Sequence, residues 1–93
     1  MSPLMLKIIR SRENGGTRIR LSGELHGAQL DEVRAEIAGV SPPVVLDLEE
    51  VDLVDIDAVR WLNVCQAEGL QMENCAPYIL EWMFQERLGQ ESE

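Results

Sequence analysis

The run Val44-Val45-Leu46-Asp47-Leu48 constrains the fold more than any other part of this sequence. It follows Ser41-Pro42-Pro43, which cannot continue a preceding helix. A short apolar run without clean alternation is typical of a strand buried on both faces, in the interior of a sheet covered by helices. The rest of the chain must therefore supply neighbouring strands and the helices that cover them.

The segments before this run predict an antiparallel hairpin. Met5 to Ser11 is strand-like, and Glu13-Asn14-Gly15-Gly16 contains two strong turn signals, Asn-Gly and Gly-Gly. Thr17 to Leu25 alternates between apolar and polar residues, which indicates a half-solvated strand paired back on the first. Gly23 falls on the inward face, where the missing side chain lets another part of the chain approach closely.

Three segments have helical spacing: Ala28 to Ala38, Ile56 to Glu68 and Pro77 to Leu88. Leu70 to Asn74 alternates and predicts a last, edge-like strand. The predicted order is β-β-α-β-α-β-α, an α/β fold with a small mixed four-stranded sheet and helices packed on it. The side chains that we expect to be largely buried are Val45, Leu46, Leu48, Val59, Leu62 and Ile79.

Size and charge limit the function classes. The 93 residues predict one domain, residues 4–89, followed by a disordered tail at residues 90–93. The net charge of −9 argues against nucleic acid as a partner, because phosphate backbones attract Lys and Arg. No signal peptide is recognisable, and no apolar run reaches the roughly 18 residues that would insert in a membrane. We expect a cytoplasmic protein in which Cys65 and Cys75 are buried, reduced thiols.

Catalytic and metal-binding patterns are weak. His26 is the only histidine, and no nucleophile elbow accompanies it. Gly15-Gly16 lacks the following Lys-Ser or Lys-Thr of a phosphate-binding loop. Asp52, Asp55 and Asp57 lack the glycine and terminal glutamate of a calcium loop. We therefore predict no enzyme activity, no cofactor and no metal.

A helix start explains two of these acids more simply. Asp55 stands in the N-cap position, where a carboxylate contributes about 1 kcal/mol. Asp57 lies in the first turn, where the helix dipole adds a few tenths of a kcal/mol.

Three segments share a pattern: LSGELHGAQLDEV at Leu21 to Val33, VVLDLEEVDLVDIDAVRWL at Val44 to Leu62, and the strand after Gly69. Together they resemble the STAS family, the domains of anti-sigma-factor antagonists and of sulfate-transporter tails. The resemblance covers the chain from about Leu6 to Leu88 and implies the mixed sheet described above.

The resemblance also gives the opening of the second helix a role. The family motif Asp-Ser-Ser/Thr-Gly corresponds to Asp55-Ile56-Asp57-Ala58, so Asp57 takes the phospho-acceptor position in a variant that lacks the phosphorylatable Ser or Thr. An Asp carries about one charge, whereas phosphoserine carries about 1.5 to 2. Two interpretations stay open: a permanent mimic of the phosphorylated state, or a diverged surface in which Asp57 only favours the helix start.

The resemblance implies a non-catalytic domain that docks a regulatory protein in bacterial sigma-factor signalling, such as an anti-sigma factor of the histidine-kinase-like ATPase type. We expect its surface at the corner Asp52 to Arg60 and the loop Glu24 to Gln29, at the same end of the sheet. Arg60 and Trp61 are candidate hot-spot residues, unless Trp61 packs on the sheet. The predicted partner-binding residues are Glu24, His26, Asp52, Asp55, Ile56, Asp57, Ala58 and Arg60.

Two alternatives remain. In the first, the domain is an accessory STAS subunit bound to the ATPase of a lipid-handling ABC transporter. It can instead bind a nucleotide or an acyl chain in a groove near Gly23 and Ala58. A homodimer is also compatible with the sequence.

Overall fold

A computed structural model describes residues 5–91 as a four-stranded sheet with three α-helices. The elements are β1 (Leu6–Glu13), β2 (Gly16–Leu25), α1 (Leu30–Ala38), β3 (Val44–Val54), α2 (Ile56–Ala67), β4 (Gln71–Glu73) and α3 (Pro77–Glu91). A short 3-10 helix, Gly27–Gln29, precedes α1. The predicted α/β fold with a mixed four-stranded sheet is confirmed. Helix α3 includes residues 90 and 91, which the sequence assigned to a disordered tail, while residues 4, 92 and 93 lie outside the described residues.

The opening hairpin forms as its turn signal predicts. β1 and β2 are antiparallel, and Glu13 lies opposite Gly16, so the loop is the two residues Asn14 and Gly15. Their φ angles of 50° and 81° are those of a type I′ turn, whose twist matches that of the strands.

The sheet order is β1-β2-β3-β4, with β2, β3 and β4 parallel. Both parallel connections advance in the same direction across the sheet, so right-handed crossovers place α1 and α2 on the same face. The side chains between the strands and the helices form one apolar core. Its most deeply buried members are Ile19, Leu21, Leu25, Val33, Leu46, Leu48, Val59, Leu62, Ile79 and Met83.

β3 is not buried on both faces, which corrects the interpretation of its apolar run. Leu46 and Leu48 lie in the core, but Val45 points to the opposite face and is only half-buried. Asp47 shares that face and is 1% exposed, because charged side chains rather than a helix cover it. A single valine on the polar side makes the strand look continuously apolar in sequence.

The carboxylate of Asp47 is the centre of an ionic network on this second face. Arg18 Nη1 donates to Asp47 Oδ2 at 2.8 Å, and Arg20 Nη2 lies 3.6 Å from the same oxygen. The Arg18 guanidinium also donates to Glu13 and to Glu73, each at 2.7 Å. One arginine of β2 therefore connects acids of β1, β3 and β4.

Several donors keep Asp47 ionised. Burial would raise the pKa of this carboxyl, but the backbone N–H of Glu49, the side-chain amide of Asn74 and the guanidinium of Arg18 outweigh it, and the charge of Arg20 adds to them. Its pKa is therefore lower than usual. The stability that this gives is present above the unfolded pKa of about 3.9 and is lost as the pH falls through the lower folded value.

We expect Asp47→Ala to lower the free energy of unfolding by about 2 to 3 kcal/mol at neutral pH, because it removes the carboxylate that accepts from the Glu49 N–H, the Asn74 amide and one N–H group of Arg18. Urea denaturation measures this change. The difference from the unsubstituted protein should shrink between neutral pH and about pH 3. Glu49→Ala is the control, since it removes an exposed neighbouring carboxylate and should cost less than about 0.5 kcal/mol. Equal effects of the two substitutions at neutral pH would contradict the role of Asp47.

Candidate functional site

The loop after β2 meets the start of α2 at the carboxyl end of the sheet, as predicted. Asp55 connects the two segments. Its backbone N–H donates to the Leu25 carbonyl at 3.3 Å, and its carboxylate accepts from the N–H of Gly27 at 2.9 and 3.2 Å. The same carboxylate accepts from the N–H of Ala58 at 2.9 Å, which makes Asp55 the N-cap of α2. One side chain therefore caps the helix and holds the neighbouring loop.

His26 lies between two acids at this corner. Its Nε2 is 3.3 Å from Glu24 Oε1, and its Nδ1 is 3.5 Å from Asp55 Oδ2. Within residues 5–91, no hydroxyl or thiol makes a hydrogen bond with the ring. The ring thus contacts one carboxylate from each of the two segments that meet at the corner.

The electrostatics of Asp55 match its structural position. Burial would raise the pKa of its carboxyl, but the N–H groups of Gly27 and Ala58 and the neighbouring His26 together hold it below the usual value. The carboxylate is therefore ionised at neutral pH, which strengthens both hydrogen bonds that it accepts from the backbone.

Asp57 differs from Asp55 although only one residue separates them. Its side chain is exposed, and among the described residues it has no hydrogen-bond or ion-pair partner. It lies against Gly27, where an added Cβ would be 2.9 Å from Asp57 Oδ2 and 3.0 Å from Asp57 Cβ. Gly27 thus makes room for this carboxylate, a dependence that the sequence analysis missed because no local motif signals it.

The other predicted site residues differ in accessibility. Arg60 is exposed and forms an ion pair with Glu86 at 3.2 Å, while Ile56 is half-buried. Ala58 is fully buried, so the prediction that it contacts a partner is wrong; its Cβ packs in the core behind the corner. Trp61 is only 7% exposed and belongs to the core, which makes Arg60 the better hot-spot candidate of the two.

The end of β3 adds an exposed apolar residue that the sequence analysis also missed. Leu53 lies opposite Glu24 and is 53% exposed, and the neighbouring Asp52 is exposed as well. Two irregularities in the register of β2 and β3 lie just before and within this segment, where the strands end. Tyr78 of α3 holds this segment, since its hydroxyl donates to the Asp52 carbonyl at 2.6 Å.

A groove of about 1000 Å³ runs between α1 and α2. Gly27 and Asp57 lie at one end of it, and its walls are formed mainly by Leu30, Arg34, Ile37, Trp61, Val64 and Cys65. Neither Gly23 nor Ala58 lines it, which corrects the predicted position of a ligand groove. The space above Gly23 is taken by the backbone of Met5, whose carbonyl oxygen would clash with an added Cβ.

The cysteines are free, but only Cys65 is buried; Cys75 is half-buried. Burial, with the charge of Glu68, raises the pKa of the Cys65 thiol to about 11, so it is protonated at neutral pH. Across the described part of the chain, no three His, Cys, Asp or Glu side chains are arranged to hold a metal ion. None of the helices in residues 5–91 is long and apolar enough to cross a bilayer.

Comparison of the chain with protein-family models, with curated proteins and with solved structures finds no match.

The two neighbouring acids should differ sharply on substitution. We expect Asp55→Ala to lower the free energy of unfolding by about 1 to 2 kcal/mol, because it removes the N-cap and leaves the Gly27 N–H without its acceptor. Asp57→Ala is the matched control and should cost at most about 0.5 kcal/mol, the size of an exposed contact with the helix dipole. Thermal and urea unfolding measure both. Equal losses would contradict the assignment of the structural role to Asp55 alone.

Proposed function

We propose that this protein is a non-catalytic, STAS-like interaction domain that docks a regulatory protein. Its docking surface is the corner Asp52 to Arg60 together with the loop Glu24 to Gln29. The observation that carries the proposal is the division of roles between two carboxylates. Asp55 holds the loop and the helix together, while Asp57 beside it is exposed and has no hydrogen-bond or ion-pair partner in the described part of the chain.

A rigid site with a free charge is suited to recognition. The exposed side chains at this corner include the acids Asp52 and Asp57 and the apolar Leu53. Acidic groups around an apolar residue favour a partner whose surface presents cations around an apolar pocket. A regulator of the histidine-kinase-like ATPase type, as in anti-sigma factors, is the partner that the STAS resemblance implies.

The proposal of a binding rather than a catalytic role rests on the surroundings of His26. Its two ring nitrogens face the carboxylates of Glu24 and Asp55, one nitrogen to each. General acid–base chemistry would need a substrate position within reach of the ring and a group to activate. At this corner the Asp55 carboxylate instead accepts hydrogen bonds from the backbone N–H groups of Gly27 and Ala58.

The position of Asp57 provides the sharpest test. If Asp57 mimics a phosphorylated residue, Asp57→Ser should change affinity for the regulator far more than it changes stability. A partner that rejects the phosphorylated form of its usual ligand should bind the Ser variant more tightly, by about tenfold if one unfavourable charge contact of roughly 1.4 kcal/mol is removed. Isothermal titration calorimetry with the purified regulator, alongside thermal melts, measures both quantities.

Two further variants complete this experiment. Asp57→Asn removes the charge while keeping the shape, and Glu81→Gln removes an exposed carboxylate of α3 that is not one of the corner residues. We expect Asp57→Asn to follow Asp57→Ser and Glu81→Gln to bind like the unsubstituted protein. Identical affinities for all four proteins would reject Asp57 as a recognition residue. If Asp52→Ala and Arg60→Ala also leave the affinity for the regulator unchanged, the proposed docking surface is rejected.

The groove between α1 and α2 favours a second candidate function, the binding of a small apolar ligand. Its volume of about 1000 Å³ and its apolar walls are typical of small-molecule sites. Native mass spectrometry of the purified protein should then show a mass increase that is lost in Val64→Arg, because Val64 is exposed on the groove wall. If both proteins have the mass of the polypeptide alone, with no added ligand, this candidate function is rejected. The accessory role on a transporter would instead be indicated by co-purification with an ATPase that carries a Walker motif.

A further inference from the structure

The two edges of the sheet differ in length. β4 has three residues, Gln71–Glu73, and pairs with β3 over those residues only. β1 has eight, and all of them pair with β2 in a continuous register without a bulge. An edge strand that is long and regular offers its outer backbone groups to another strand.

The register shows which backbone groups point outward. The Glu24 N–H donates to the Met5 carbonyl, so Met5 and Glu24 form a hydrogen-bonded pair of the antiparallel ladder. Such pairs alternate along the ladder, so residues 7, 9, 11 and 13 bond to β2. The N–H and C=O groups that point away from β2 belong to Leu6, Ile8, Arg10 and Arg12.

The β1 edge is positively charged, whereas the chain as a whole is negatively charged. The net charge is −9, yet three of the eight Lys and Arg residues, Lys7, Arg10 and Arg12, lie in β1 and are exposed. Arg10 faces Glu36 of α1 at 3.4 Å. Lys7 and Arg12 have no acidic partner among residues 5–91. An unpaired cation thus stands near each end of the open edge.

We infer that β1 is a docking edge for an acidic, extended segment of a protein partner, which adds to the sheet as a fifth strand. The exposed backbone requires an extended segment, and the two unpaired cations select its charge. Lys7 and Arg12 are five residues apart, about 17 Å along a strand. The segment that fits has carboxylates near both ends and apolar residues between them, beside Ile8 and the 44%-exposed Ile9.

The same charges disfavour the obvious alternative, a second copy of this chain. Pairing β1 with β1 would bring together two strands that each carry three cations, Lys7, Arg10 and Arg12, and one acid, Glu13, so the accumulated positive charge opposes that pairing. Positive charge on an edge is also a common protection against self-association. The positive charge of β1 therefore disfavours pairing with a second copy of β1 and favours pairing with an acidic strand.

The probe is a fluorescent, end-capped peptide of sequence Glu-Glu-Val-Thr-Val-Glu-Glu, and its matched control has Lys in place of every Glu. We expect only the acidic peptide to bind, with amide NMR shifts concentrated in Leu6–Glu13 and slower hydrogen exchange at Ile8 and Arg10. Lys7→Gln and Arg12→Gln should each weaken binding about threefold, the size of one cross-strand charge pair. Arg34→Gln is the control for charge, because Arg34 lies on α1 and not on the edge.

A backbone variant separates strand addition from simple charge attraction. Ile8→Pro removes an outward N–H without removing a bond to β2, so the hairpin should remain folded. It should weaken binding at least about fivefold more than Ile8→Ala, which loses the side chain alone. Equal binding of the two peptides, equal losses in Arg34→Gln and Lys7→Gln, or shifts confined to the groove between α1 and α2 would overturn the inference. If the corner variants do not change binding of the regulator, the peptide result at β1 still stands, because the corner and the β1 edge are separate surfaces.

Discussion

The buried carboxylate of Asp47 determines how the face of the sheet away from the helices is closed. Helices cover only one face, so strand side chains must seal the other, and Arg18 does this by joining acids from three strands. A buried charge is costly unless it is paired. A one-residue slip of β2 against β3 would move Arg18 into the apolar core and leave Asp47 unpaired. The network therefore specifies the register on which both ends of the sheet depend.

That register brings the two halves of the proposed docking corner together. Once β2 and β3 are aligned, Gly27 lies within hydrogen-bond distance of Asp55, which satisfies the loop and the helix with one carboxylate. Asp57 stays exposed beside it and has no hydrogen-bond or ion-pair partner among residues 5–91. The β1 edge is a second surface of opposite charge, because its cations lie on the far side of β2 from the acids of β3. The two proposed docking surfaces therefore differ in the sign of their charge, so the partner groups proposed for them differ as well.

Features set by neighbouring residues were predictable from the sequence. Asn14-Gly15 forms the expected two-residue turn because both residues accept positive φ. Asp55 caps α2 because its side chain reaches an N–H three residues on. Element order and most core positions followed from periodicity, and Leu46 is fully buried as expected. The likeness of the corner to the STAS motif was also legible in the sequence, and it remains a resemblance.

Contacts between distant residues decided the rest. The sequence showed basic and acidic segments, but only the sheet register selects Asp47, 29 positions from Arg18, as the partner, and so leaves Val45 on a polar face. Packing against the core hides Ala58, while Leu53 near the end of β3 stays 53% exposed. By itself the sequence determined where strands, turns and helices form, since those depend on short-range backbone preferences and periodicity. The tertiary structure alone decided which charges are paired and which stay exposed, because that depends on the alignment of strands far apart in the chain.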